Sequence, residues 1–167
     1  QRIVQELYDT EIRYVEGLQC LCSRLLLPVK DRAILSPDDY VAIFDNIESI
    51  LTYHHSLLGA LKKAMENYSH SSPIADVFLK SVSLSSFLCY YLRYSQSTFF
   101  GEYASYLSNY SAAIVMLFYI KQRNEEFCAM LSDWEALDEV TLSSISSYLV
   151  MPVQRLPRYI LLFKVSG

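Results

Sequence analysis

The sequence predicts an all-α protein, an elongated bundle of helices built as one domain. Apolar residues recur at three- and four-residue steps over long stretches, the period of a helix with one buried face. No segment keeps up the two-residue alternation of a half-buried strand. Only four glycines are scattered along 167 residues, too few for a chain of many tight turns.

The first helix is expected from Ile3 to Leu25. Val4, Leu7, Tyr8, Val15, Leu18, Cys22 and Leu25 share one stripe, and Pro28 should end it, having no amide hydrogen to donate. Ser36-Pro37-Asp38-Asp39 opens the second helix with an N-cap serine, a first-turn proline and two carboxylates at the positive helix end. From there Tyr40, Ile43, Phe44, Ile47, Ile50, Leu51, His54, Leu57, Leu58, Leu61 and Met65 continue at helical steps. The spacing predicts one helix to about Asn67, then a polar loop ending at Pro73. Shorter helices are expected over 74–92, 98–120 and 122–135. After a polar break from Asp138, Thr141 should cap a further helix, and Pro152 and Pro157 interrupt the last apolar run.

Hydrophobic residues make up 52% of the chain and charged residues 19%, which suits a single packed core and not a disordered segment. The net charge of −4 argues against nucleic acid, whose phosphates need a basic footprint. The longest apolar run, Ala112 to Ile120, is about half of what crosses a bilayer. With no secretory pattern at the start, the chain is expected to be cytoplasmic, without membrane insertion, and to keep Cys20, Cys22, Cys89 and Cys128 as thiols. The aromatic cluster Phe87, Tyr90, Tyr91, Tyr94, Phe99, Phe100, Tyr103, Tyr106 and Tyr110 reads mostly as core. His54, His55, His70 and the Cys20/Cys22 pair have no metal-ligand spacing, no nucleophile motif occurs, and Glu125-Glu126 reads as a solvated face. No cofactor, no metal and no covalent catalysis are expected.

Two segments resist an ordinary structural reading. On the first helix Glu6 lies off the apolar stripe, beside Thr10, Arg13 and Gly17, whereas Glu11 falls inside the stripe and requires a hydrogen-bonding partner or a cation. In the second, a helix starting at Pro152 would bury Val153, Leu156, Ile160 and Phe163. It would present Gln154, Arg158, Leu161 and Val165 on a nearly opposite face. Such a mixture of amide, guanidinium and aliphatic groups suits a protein interface. Pro157 should bend this helix.

Glu6-Leu7-x-x-Thr10-Glu11-x-x-Tyr14-Val15-x-x-Leu18 resembles the first conserved region of Dbl homology domains. Tyr148-Leu149-x-x-Pro152-x-Gln154-Arg155-x-x-Arg158-Tyr159-x-Leu161-Leu162 resembles the third, and Phe44-x-Asn46-Ile47-x-x-Ile50 the pattern on the second long helix. The resemblance covers essentially the whole chain. It implies guanine nucleotide exchange on a Rho-family small GTPase. Glu6 would engage switch I, and Gln154 and Arg158 would lie near switch II. The full set of expected GTPase-binding residues is Glu6, Thr10, Arg13, Gln154, Arg158 and Leu161. The family usually continues into one more long helix and a pleckstrin homology domain, so residues 1–167 are expected to be a C-terminally truncated Dbl homology domain with a pleckstrin homology domain outside this chain. A helical scaffold that binds a GTPase or another protein without catalysing exchange stays open as the alternative.

Overall fold

The computed structural model describes residues 2–69 and 99–164, and every element among them is helical. The helix expected over 74–92, with Cys89, His70 and the aromatic residues from Phe87 to Tyr94, lies outside the described residues. α1 (Arg2–Leu21) does not stop before Pro28 as expected. It passes through a π turn (Cys22–Leu26) into α2 (Leu27–Asp31), with Pro28 in the first turn of α2. The Leu27 amide donates to the Cys22 carbonyl, five residues back, and this wider turn gives the proline ring room against the preceding carbonyls. The helix ends about one turn later in a Schellman motif. Ile34 N–H donates to Val29 O at 3.1 Å and Ala33 N–H to Lys30 O at 3.0 Å, with Ala33 at φ 50°.

The second predicted helix is two helices, α3 (Pro37–Phe44) and α4 (Ile47–Ser69). Ser36 caps α3, its hydroxyl accepting the Asp39 amide at 3.1 Å. The break falls at Asp45, whose φ is 33°, and long-range bonds hold it. Asn46 donates its amide to the Glu102 carbonyl at 2.8 Å and to the Glu102 carboxylate, and Ser105 donates to Asp45 at 3.2 Å. Apolar spacing runs on across the break because both helices bury toward one core, through Ile43, Phe44, Ile47 and Ile50.

α5 (Phe99–Lys121) and α6 (Glu125–Glu135) match their expected positions to within three residues. Asn124 caps α6, accepting from Phe127 N at 2.8 Å, and ties it back to Ile34 O at 2.9 Å. α7 (Ile145–Leu149) is not capped by Thr141. Ser144 holds the N-cap position, and the Glu135 carboxylate of α6 accepts the Ile145 amide at 3.0 Å. The Thr141 amide instead donates to Tyr148 Oη at 3.0 Å. α8 (Met151–Lys164) has Pro152 in its first turn and continues through the exposed Pro157.

α1 packs on α4, α3 and α4 on α5, and α8 lies across α1 and α5. Trp134, Tyr103, Tyr148, Phe44 and Phe127 are the largest fully buried side chains, with Trp134 edge-on to Tyr148 at 5.0 Å. Each contributes roughly 1.5–3 kcal/mol by leaving water. Tyr106 Oη donates to the Leu149 carbonyl at 2.7 Å, which fastens α5 to the α7–α8 junction that carries one wall of the site.

Candidate functional site

α1 and α8 run antiparallel. Gly17 meets Met151, Thr10 meets Arg155 and Glu11 meets Tyr159, so rising numbers on α1 pair with falling numbers on α8. Between them and the segment before α7 lies a groove of about 880 Å³. Thr10 and Arg13 of α1 and Gln154 and Arg158 of α8 all line it. Four of the six expected binding residues are thus brought together from opposite ends of the chain. Glu6 and the 63%-exposed Leu161 do not line the groove. They stand one turn further along their helices, at the same end in the antiparallel register.

Glu6, Arg13, Gln154 and Arg158 are exposed, as the helical wheel requires. Thr10 is not a surface residue. It is buried, with its hydroxyl donating to the Leu7 carbonyl at 3.0 Å and accepting from Arg155 at 3.2 Å. The buried face of α8 also differs from expectation. Pro152, Arg155 and Tyr159 are the buried positions, and Val153 and Leu156 are only half-buried; the side chains of Ile160 and Phe163 lie outside the described ones.

Arg155 turns inward because Glu11 is there. The Glu11 carboxylate is fully buried, pairs with the Arg155 guanidinium, and accepts from Tyr159 Oη at 2.6 Å. Its other oxygen lies 2.5 Å from His54 Nδ1 on α4, and His54 Nε2 lies 2.6 Å from Tyr103 Oη on α5. Tyr103 Oη in turn meets Tyr14 Oη at 3.0 Å. The Arg155 guanidinium sits 4.4 Å from the Tyr159 ring centroid and 5.3 Å from that of Tyr14, within cation–π range. Three helices therefore meet on one carboxylate beneath the groove floor, and α5 joins the network through His54 and Tyr14.

The electrostatics follow from these contacts. Burial alone would push the Glu11 carboxyl up, but the His54 hydrogen bond and the His54 and Arg155 charges outweigh it and hold it below its ordinary value. Burial opposes the Arg155 charge, and the adjoining Tyr159 and Glu11 overcome it. Burial, reinforced by neighbouring negative groups, pushes Tyr14 and Tyr159 well above the ordinary phenol range, so both stay neutral hydrogen-bonding groups. The exposed rim carries Arg13 and Arg158 and, further along, Glu16 and Glu139. A groove with apolar side chains at its base and charges of both signs on its rim is suited to another protein's surface. Among the described residues no group of three or more His, Cys, Asp or Glu could hold a metal ion, and no helix is long and apolar enough to cross a membrane.

Sequence reasoning missed Arg155 and Tyr159 as buried partners. The available signal was Glu11 itself: a carboxylate inside an apolar stripe demands a cation, and Arg155 lies one turn from Met151 and one turn from Tyr159 on a helix that also has an exposed face.

A RhoGEF domain model matches residues 3–165. The chain is 27% identical over 187 residues to Rac guanine nucleotide exchange factor B of Dictyostelium discoideum, covering 98% of this chain and 15% of that protein; it therefore spans a small part of that relative's length. Among solved structures, a mutant form of the DH/PH domains of p115-RhoGEF matches with a TM-score of 0.85 at 20% identity, over 100% of this chain and 46% of that one. The DH/PH domains of PDZ-RhoGEF, solved in complex with GTP-γ-S activated RhoA, match with a TM-score of 0.73 at 18% identity, over 98% and 43%.

Proposed function

The chain belongs to the RhoGEF domain family, and on that premise we propose that it docks a Rho-type small GTPase along the α1–α8 groove and promotes release of its GDP. The observation that carries the reading is the convergence of Arg13, Gln154 and Arg158 on one groove, with Glu6 and Leu161 level with each other at its end. Exchange on a Rac GTPase by the Dictyostelium relative and binding of RhoA by the PDZ-RhoGEF domains, as their names state, support the same partner class. The neighbouring DH/PH structures support a pleckstrin homology domain beside this one in the whole protein.

The mechanism is a matter of differential binding. A protein that holds the nucleotide-free GTPase more tightly than the loaded one weakens nucleotide binding by the same factor. Each tenfold preference corresponds to about 1.4 kcal/mol. In this reading the Glu6 carboxylate accepts hydrogen bonds from switch I and holds it away from its nucleotide-bound position. Gln154, donor and acceptor, and Arg158, a fixed fork of donors, engage switch II from the other wall, and Leu161 supplies apolar contact. The displaced switches no longer support the magnesium ion and the diphosphate of the substrate complex. GDP leaves, and GTP rebinding displaces the exchange factor. No step makes or breaks a covalent bond.

The test is release of a fluorescent GDP analogue from a panel of Rho and Rac GTPases, with the wild-type chain, Glu6→Ala and Arg158→Ala. The wild type is expected to accelerate release, and each variant to lose at least about tenfold of that acceleration. Tight binding of a GTPase without acceleration would replace exchange by a scaffold role, and no effect of Glu6→Ala would move switch I elsewhere on the surface.

A further inference from the structure

His54 sits behind the groove lining. It is fully buried in α4 and meets the groove lining through Tyr14, whose ring it touches edge-on, and through Glu11, which carries Arg155. It links α4 and α5 to the α1–α8 junction through two polar contacts. Nδ1 lies 2.5 Å from Glu11 Oε1, and Nε2 lies 2.6 Å from Tyr103 Oη. Its ring stacks at 10° to that of Tyr159, 6.4 Å between centroids, and stands edge-on to Tyr14 at 4.5 Å. The groups facing it are Glu11 and Tyr14 from α1, Tyr103 from α5 and Tyr159 from α8, with Arg155 behind the carboxylate.

We propose that His54 is a positioning residue for exchange, setting the Glu11 carboxylate, which in turn clamps Arg155 and Tyr159 and so places α8 against α1. The proposal rests on the function proposed above. The physical argument concerns free orientations. A carboxylate in an apolar stripe pairs with a guanidinium in several geometries. Here Oε2 receives both Arg155 and Tyr159, and Oε1 receives His54. With both oxygens engaged the carboxyl plane cannot rotate, so Arg155 and Tyr159, four residues apart on α8, are held in one register. Gln154 and Arg158 immediately precede these two residues on α8. A rotation of α8 that frees Arg155 therefore swings Gln154 and Arg158 along the groove wall, and misplacement by about 1 Å can cost a hundredfold in a positioned reaction.

The test uses the two amides that divide the imidazole between them. In His54→Asn the side-chain amide stands where Nδ1 stands and can still reach Glu11. In His54→Gln it stands where Nε2 stands, keeping Tyr103 and losing Glu11. Two readings are taken on the same chain: GDP-analogue release, and amide hydrogen exchange over α8. His54→Asn is expected to stay within about threefold of wild type in release, while His54→Gln loses about tenfold and exchanges faster over α8. A role in packing alone predicts the opposite order, since Gln is closer to His in volume, and equal losses or a more active His54→Gln would overturn the proposal. Should neither variant retain its helical signal in circular dichroism, Tyr159→Phe decides, since it removes one bond to Glu11 and almost no volume. Unchanged release and unchanged α8 protection in Tyr159→Phe would reject the clamp. If the wild type accelerates no GTPase but His54→Gln alone loosens α8, the clamp stands and the exchange reading falls.

Discussion

Glu11 and Arg155, 144 positions apart in the sequence, form a buried ion pair in which the carboxylate is fully enclosed and the guanidinium is 3% exposed. One comes from the middle of α1 and the other from α8. The bond between the two halves of the groove is thus the same bond that satisfies the charge buried in each.

Removing one partner should be costly. Arg155→Met leaves Glu11 charged with only His54 and Tyr159 for support, and the expected loss is about 3–5 kcal/mol in urea denaturation. Glu11→Leu combined with Arg155→Met removes both charges and should lose clearly less than the sum of the single changes. Additive losses would mean that the two groups are not coupled.

The same carboxylate sets an acid limb. Its folded value is lowered from the usual 4.5, so the stabilisation it contributes is present above about pH 4.5, the unfolded value, and is lost as the pH falls through the lowered folded value. Stability measured from pH 6 downward should fall for the wild type, and Glu11→Gln should show a shallower fall from a lower starting point. An identical acid dependence in the two would place the titrating group elsewhere.

Gly17 tests how closely α1 and α8 approach. A Cβ there would lie 2.7 Å from Met151 Cε and 3.3 Å from Met151 Sδ, so Gly17→Ala must push the flexible end of Met151 aside. Alanine gains about 1 kcal/mol over glycine inside a helix, which offsets the displacement. The midpoint of denaturation should therefore shift little, while affinity for the nucleotide-free GTPase falls, because Met151 lines the groove. Gly17→Ala with Met151→Ala should recover part of that affinity.

Ala33 is the residue to exchange for stability. It holds φ 50° at the position after the α2 C-cap where glycine is usual. Ala33→Gly should raise stability by up to about 1 kcal/mol, since it removes the left-handed penalty of an L side chain. The groove lies elsewhere, so GDP-analogue release should be unchanged. A lower midpoint of denaturation would show that the φ is not strained.

The residues by themselves determined the all-α class, the stripe on α1, the cap at Ser36 and the apolar face of α4, because each depends on neighbours within four positions and on the helical period. The outward placement of Glu6, Arg13, Gln154 and Arg158 was legible for the same reason, as was the need of Glu11 for a partner. Local rules misjudged Pro28, the break at Asp45 and the cap at Thr141. A π turn makes room for the proline, Glu102 and Ser105 of α5 hold the break, and Glu135 of α6 replaces the missing cap. Only the tertiary structure decided that Thr10 is buried, that Arg155 and not Arg158 answers Glu11, and that His54 of α4 closes the cluster. Those outcomes depend on which helices lie side by side, and a helical period carries no record of what the opposite helix presents.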